Sequence, residues 1–237
     1  MAIDEALLSC FDPEESMPVL RLYGWSPPAF SCGRFQKPEE ILNMDLCNRG
    51  GVQVVKRITG GGVIYHANEL TYSLVCPTDL LPGGHNVKEA FFYLTSFLLA
   101  FYKKLGLDAV YAAEHFPENK RLGERTPLCF AGVESCDILI NGKKIGGNAQ
   151  RRLKKVLFQH GSIPLVQMAD KGDRYLLHPE TNITERTTAL EELELDRKVL
   201  ASALATAFAE SFQVTLKADE LSAEELESAK AHIQKTA

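Results

Sequence analysis

The chain has no excess of positive charge: 26 Lys and Arg stand against 31 Asp and Glu, a formal net charge of −5. That excludes a general nucleic-acid binder, which needs a basic face to meet phosphates. It also has no CxxC pair. Six cysteines, Cys10, Cys32, Cys47, Cys76, Cys129 and Cys136, are scattered without a repeated spacing, so neither a disulfide framework nor a structural zinc site is expected. No cluster of His, Cys and carboxylates at ligand spacing calls for a catalytic metal. The opening Met1-Ala2-Ile3-Asp4-Glu5 lacks the basic residues and apolar run of a signal peptide, and with the cysteine pattern it predicts a reducing, cytosolic setting. Long hydrophobic runs are missing too. The most apolar stretch, Ala90 to Tyr102, is about half the length needed to cross a bilayer and closes on Lys103-Lys104. It predicts a core helix and no membrane partner. Nor is there an internal repeat or low-complexity tract, so a solenoid has no support.

What is present is an ordinary globular composition, 45% hydrophobic and 24% charged over 237 residues, enough for one sizeable core. Ala2 to Ser9 reads as a short helix, and Val19 to Tyr23 and Ala29 to Cys32 as strands punctuated by Trp25-Ser26-Pro27-Pro28. Val52, Val54 and Val55, then Gly62 to His66, then Leu70 to Val75 read as successive strands of a central sheet joined by glycine turns. Asn86 with Glu89 forms a capping box, and Lys103-Lys104 before Gly106 marks a helix end. The helix between should bury Phe91, Leu94, Leu98 and Phe101.

The strongest hairpin signal is Asp137 to Ile140, then Asn141-Gly142, then Lys143 onward, because Asn-Gly suits the positive φ angles of a type I′ turn. Lys144 then falls early on the second strand. Lys155 to Pro164 gives another strand, and Arg197 to Phe212 places Leu200, Leu204, Phe208 and Phe212 on a helical face. Ser222 and Glu225 open a last helix. The fold class is α+β, with a mixed, largely antiparallel sheet flanked by helices.

Gly60-Gly61-Gly62 lets backbone approach a ligand and aim N–H groups at an anion or carbonyl oxygen, although a glycine-rich turn alone has the same appearance. Arg57 before the glycines and His66 after them place a cation and an imidazole around that loop. Cys129, in Pro127-Leu128-Cys129-Phe130, precedes the hairpin that carries Lys144; a nearby ammonium would lower the thiol pKa and favour the thiolate. Most free cysteines are small buried hydrophobes, so sequence alone leaves both readings open. Lys143, Lys144, Arg151, Arg152, Lys154 and Lys155 form a basic segment in an acidic chain. It reads either as a surface for an acidic partner or as a charged hairpin edge. Asn182-Ile183-Thr184 matches a glycosylation acceptor, which a cytosolic chain would not use.

Three segments, Lys56 to His66, Asn141 to Gln150 and Phe158 to Ile163, resemble in order and spacing the biotin/lipoate protein ligase and octanoyltransferase superfamily. The opening Met1 to Leu8 and the stretch Thr187 to Leu193 resemble it as well, so the likeness covers almost the whole chain. It implies a catalytic domain over residues 1–215 with a helical extension over 216–237. It implies acyl or adenylate binding by Arg57, Gly60, Gly61, Gly62, Val63, His66, Asp137, Gly147, Asn148, Ala149 and His160, with Cys129 and Lys144 catalytic.

Within the superfamily, Cys129 and the segment His66 to Ser73 look like the cysteine-dependent octanoyltransferases. Gly62, followed by Val63 rather than arginine, looks more like the lipoate-protein ligase branch. The first likeness implies acyl transfer from an acyl carrier protein, or from another lipoyl domain, through a cysteine acyl-enzyme and without a cofactor. The acceptor would be a lysine of a lipoyl-carrier domain, such as a glycine cleavage H-like protein or a 2-oxoacid dehydrogenase E2. The second likeness implies ATP and magnesium and an acyl-adenylate. A catalytically idle module that binds acyl groups or lipoyl domains is the third reading, and intact Cys129 and Lys144 speak against it.

Overall fold

The computed structural model describes residues 1–82, 86–116, 132–179, 182–193 and 196–236. Strands β1 (Val19–Tyr23), β2 (Ala29–Cys32), β3 (Gln53–Lys56), β4 (Ile64–His66), β5 (Glu69–Pro77), β6 (Ala109–Tyr111), β7 (Ile138–Ile140), β8 (Lys143–Ile145), β9 (Gly147–Arg152), β10 (Val156–Pro164) and β11 (Thr187–Thr188) form three sheets. Their orders are β1-β5-β10-β9, β11-β8-β7-β6 and β3-β2-β4. All neighbouring pairs are antiparallel except β2 with β3 and β8 with β11. The helices are α1 (Ala2–Ser9), α2 (Met44–Arg49), α3 (Val87–Lys104), α4 (Ala112–His115), α5 (Ala169–Asp173), α6 (Ile183–Arg186), α7 (Arg197–Phe212) and α8 (Ala223–Thr236). The expected mixed, largely antiparallel α+β architecture is what the chain adopts. No described helix is long and apolar enough to cross a membrane.

β5 and β10 pair along their full lengths, from Val156 opposite Pro77 to Pro164 opposite Glu69. Strand side chains alternate between faces. On one face of β5, Leu70, Tyr72, Leu74 and Cys76 join the core built with Leu94, Phe97, Leu98 and Phe101 of α3 and Leu200, Leu204 and Phe208 of α7. On the other, Val75 packs with Leu7 and Leu8 of α1. Ser73, two residues away on that face, donates to the buried Asp4 of α1 at 2.8 Å. Arg21 Nη1 and the Tyr23 hydroxyl donate to the same carboxylate, each at 2.9 Å, so a wholly buried charge is satisfied by three donors. α8 lies on α1, where His232 pairs with Glu5 at 2.8 Å and Ala229 is buried.

Local signals determine several boundaries. Asn86 accepts from the Lys88 and Glu89 amides and donates to the Glu89 carboxylate at 2.8 Å, starting α3. Ser222 and Glu225 exchange the reciprocal bonds of a capping box at 2.7 and 3.2 Å before α8. Asn141 and Gly142 take φ of 51° and 75°, as a type I′ turn requires.

Two expectations need correction. Residues 52–56 and 62–66 do not share a sheet with residues 70–75: β3 and β4 flank β2, whereas β5 lies in the four-stranded sheet with β1, β10 and β9. The chain changes sheets at Asn68, whose φ of 49° reverses its direction between β4 and β5 without a glycine. In α3, Phe91 is only half-buried, and Ala90 and Phe97 take core positions beside the expected Leu94, Leu98 and Phe101.

Candidate active site

The glycine loop is built around one cation. β3 ends at Lys56, and the next side chain, Arg57, is 2% exposed. Its Nη1 donates to Ser31 O at 2.6 Å and to Ser31 Oγ at 3.2 Å; its Nη2 donates to Gly60 O at 2.8 Å and Gly62 O at 2.6 Å. A planar guanidinium fork thereby holds the loop against β2. Gly60 and Gly61 answer to different constraints. Gly61 takes φ of 92°, while a Cβ on Gly60 would meet nothing within 4 Å. Gly33, just after β2, is the tight point, because a Cβ there would collide with the Gly61 carbonyl. Val63, beyond the loop, is fully buried.

Behind the loop a cleft of about 280 Å³ runs between β4 and the β9–β10 pair, and His66, Gly147, Asn148, Ala149 and His160 all line it. His66 stacks on Trp25 with centroids 4.1 Å apart and planes 10° from parallel. Its Nδ1 contacts Glu69 Oε1 at 2.8 Å and its Nε2 contacts Ser31 Oγ at 2.7 Å. Because a carboxylate oxygen accepts, Nδ1 carries the proton and Nε2 accepts from Ser31, a tautomer assigned from this network. Glu69 also receives the Thr71 hydroxyl and, at 2.7 Å, the Ser162 hydroxyl, and Thr71 receives the Trp25 indole N–H at 3.0 Å.

The opposite wall is tied up in the same way. His160 Nε2 bonds the Thr59 hydroxyl at 2.7 Å, and burial pushes the imidazole pKa down to about 3, so the ring is neutral at physiological pH. Asn148 Oδ1 accepts from the Tyr72 hydroxyl at 2.7 Å, which accepts from Gln159 at 2.9 Å. Gly161 leaves room for this contact, since a Cβ there would strike Asn148 Oδ1 and stand 2.5 Å from the Tyr72 ring. With these polar groups bonded to one another, the cleft presents ring faces and carbon, a surface suited to an alkyl chain.

Lys144 precedes the cleft residue Gly147 by three positions. The Asn141–Gly142 turn places it opposite Leu139, and Gly146, at φ of 72° and pressed against the Ser162 carbonyl, lets the chain pass from β8 into β9. Lys144 is 2% exposed; its ammonium lies 2.6 Å from Asp137 Oδ2 and donates to Gly132 O at 2.9 Å. Asp137 also accepts from the Glu134 amide at 2.8 Å. Cys129, expected beside this lysine, lies outside the described residues.

Residues 1–213 match the lipoyl protein ligase A/B catalytic domain. The chain belongs to that family. The octanoyltransferase LipM of Bacillus subtilis is 33% identical over 241 residues, which span 96% of this chain and 86% of the relative. The LipM of Staphylococcus aureus is 32% identical over 90% of this chain and 80% of its own length. A lipoate-protein ligase A solved with ATP superposes with a TM-score of 0.82 at 24% identity, covering 99% of this chain and 88% of that one. A bipartite lipoate protein ligase from Thermoplasma acidophilum gives 0.80 at 23% identity, over 99% and 86%. These two structures share the fold of this family member.

In this lipoyl ligase A/B-type domain, the site residues singled out from sequence divide by position. His66, Gly147, Asn148, Ala149 and His160 converge on the cleft. Arg57 lies beneath the loop, and Asp137 is the counterion of Lys144. Within the basic segment Lys144 is buried and Lys155 pairs with Glu14 at 2.8 Å, while Lys143 and Lys154 are exposed. Among the described residues no group of three or more His, Cys, Asp or Glu is arranged to hold a metal. Sequence reasoning missed Trp25, Ser31, Glu69, Thr71 and Ser162. The one available signal was that Trp25 is the only tryptophan and is set in a proline-rich turn.

Proposed function

We propose that this protein transfers an octanoyl group from a thioester donor to a lysine of a lipoyl-carrier domain, in protein lipoylation. The carrying observation is the cleft itself, an alkyl-compatible slot whose polar lining is internally bonded and whose lining residue Gly147 follows the buried Lys144 by three positions. The LipM relatives, 33% identical over nearly the whole chain, support octanoyl as the group carried.

In this reading Cys129 attacks the thioester carbonyl of an octanoylated acyl carrier protein, the carrier thiol leaves, and an acyl-cysteine forms. The amine of the acceptor lysine then attacks that acyl group, an amide forms, the Cys129 thiolate departs, and the amine loses a proton. Lys144 supplies positive charge that favours the thiolate. The backbone from Gly60 to Val63 positions the acyl carbonyl, and Arg57 acts by holding that loop in shape. The acceptor is a lipoyl domain of the glycine cleavage H-like or 2-oxoacid dehydrogenase E2 kind, and the setting is the cytosol. Residues 1–215 form the catalytic unit, with the segment carrying α8 as its extension.

The transfer needs no cofactor. ATP and magnesium belong to a ligase mechanism, which the same experiment separates. The protein is incubated with apo lipoyl domain and either octanoyl carrier protein without ATP, or free octanoate or lipoate with ATP and magnesium, and the domain is weighed intact. Octanoylation from the thioester, abolished by Cys129→Ala, is the expected result. Attachment that requires ATP and survives Cys129→Ala sinks the cysteine mechanism.

A further inference from the structure

A second cleft, of about 500 Å³, lies on the other side of Glu69 from the first. Tyr65, Val166, Met168, Gly172, Thr187 and Thr188 help to line it. The last two residues make up β11, which runs parallel to β8 with Thr187 beside Lys144 and Thr188 beside Ile145. Adjacent strands lie about 4.8 Å apart, so this cleft borders the backbone that carries the lysine. One carboxylate links the two clefts through its hydrogen bonds. Glu69 lines the second cleft, while its partners His66 and Ser162, at 2.8 and 2.7 Å, line the first.

From this arrangement, and resting on the thioester reading above, we propose that the second cleft holds the pantetheine arm of the acyl donor. The acyl chain then occupies the first cleft, whose lining residue Gly147 follows Lys144 by three positions, and the leaving group extends into the second, whose lining residue Thr187 pairs with Lys144.

The chemistry of the lining selects this occupant. Among the described residues no Lys, Arg or His lines the cleft, whereas two carboxylates, Glu69 and Asp173, do. An anionic occupant such as a polyphosphate would find no cationic side chain in this described lining to offset its desolvation. Most of the remaining surface is carbon from Tyr65, Pro164, Val166, Met168 and Ile183, joined by Gln167 and the two threonines. A pantetheine arm matches it, being uncharged, with branched aliphatic carbon and amides spaced along a chain. Both a carrier protein and coenzyme A present this same arm, with the phosphate at its far end.

The test compares two small donors of the same acyl group, octanoyl-pantetheine and octanoyl-N-acetylcysteamine, which differ only in the part assigned to the second cleft. Transfer to apo lipoyl domain is followed by intact mass. The expected kcat/KM is about tenfold or more higher for the pantetheine thioester, a preference that only extra contacts to the arm supply. Val166→Trp, at a rim position 37% exposed, and separately Thr188→Tyr, fill the cleft and should drive that ratio toward unity. Octanoyl carrier protein and octanoyl-coenzyme A, run alongside, show which source delivers the arm, and use of either supports the assignment. A wild-type ratio near unity, or a ratio unchanged in whichever filled variant folds by circular dichroism, overturns it while leaving the thioester reading standing. Absence of transfer from every thioester overturns both.

Discussion

The Lys144 ammonium stands 2.6 Å from Asp137 Oδ2, with the two side chains 2% and 9% exposed. The hairpin turn supplies this pair: Asp137 immediately precedes β7, and Asn141–Gly142 folds Lys144 back beside it. An ion pair this deep carries a large desolvation cost on each partner, and what holds it is the match between them.

Removing one partner therefore costs more than removing both. Asp137→Ala removes the carboxylate from beside a buried ammonium and should lower stability by about 3–5 kcal/mol. Asp137→Leu combined with Lys144→Met should recover most of that loss while abolishing transfer. Urea unfolding of Asp137→Leu, of Lys144→Met and of the two combined gives the coupling. A double variant as unstable as the sum of its parts would show that the pair is not energetically linked.

Glycines that look interchangeable in the sequence should respond in opposite ways. At Gly33 a Cβ collides with the carbonyl of Gly61, which is itself fixed by its neighbours' bonds to Arg57, so Gly33→Ala should cost about 1–3 kcal/mol and slow transfer. At Gly60 a Cβ meets nothing within 4 Å and φ is not in the left-handed region. Gly60→Ala should be neutral, or stabilising by about 0.4–1 kcal/mol through the unfolded chain. Denaturant midpoints of the two variants decide the matter.

What was legible in the sequence was what neighbouring residues determine. The Asn141–Gly142 turn, the Asn86 and Ser222 caps and the four-residue rhythm of α7 each act within a few positions of the chain, and each appears as read. The glycine motif marked the right place, but the division of work among Gly33, Gly60 and Gly61 depends on which backbone passes over which. The cleft wall was illegible for the same reason. Trp25 meets His66 across the fold, and Glu69 lay just outside the expected strand Leu70 to Val75, its role set by Ser162 of β10 closing on it. Arg57 was recognisable as a cation near the loop, yet its partner Ser31 lies on β2, and nothing in the spacing announces that parallel pairing.

That placement makes Arg57→Lys a severe change despite conserving charge. The guanidinium reaches Ser31 O, Gly60 O and Gly62 O at 2.6–2.8 Å from two nitrogens held in one plane. A single ammonium nitrogen cannot span those acceptors, so buried carbonyls lose partners and the loop loosens. The expected loss is about 2–4 kcal/mol in stability, with transfer reduced more than about tenfold. Thermal denaturation and the intact-mass assay measure both, and near-native transfer in the lysine variant would show that charge alone suffices.

Acid sensitivity offers a test of the neutral imidazole. His160 is buried against Thr59 with its pKa pushed down to about 3, whereas an unfolded histidine titrates near 6.5. Between those values the unfolded chain takes up a proton that the folded chain refuses, so stability attributable to this residue is intact above pH ~6.5 and falls as pH drops toward 3. The slope is about 1.4 kcal/mol per pH unit once the unfolded histidine is charged. His160→Gln keeps an amide able to bond Thr59 and removes the titration. From pH 7 to pH 5 the wild type should therefore lose about 2 kcal/mol more than the variant, because acid effects of the carboxylates common to both cancel in the difference. Equal losses in the two proteins, measured by urea unfolding at each pH, would mean that the folded state accepts the proton and that the ring is not held neutral against the cleft.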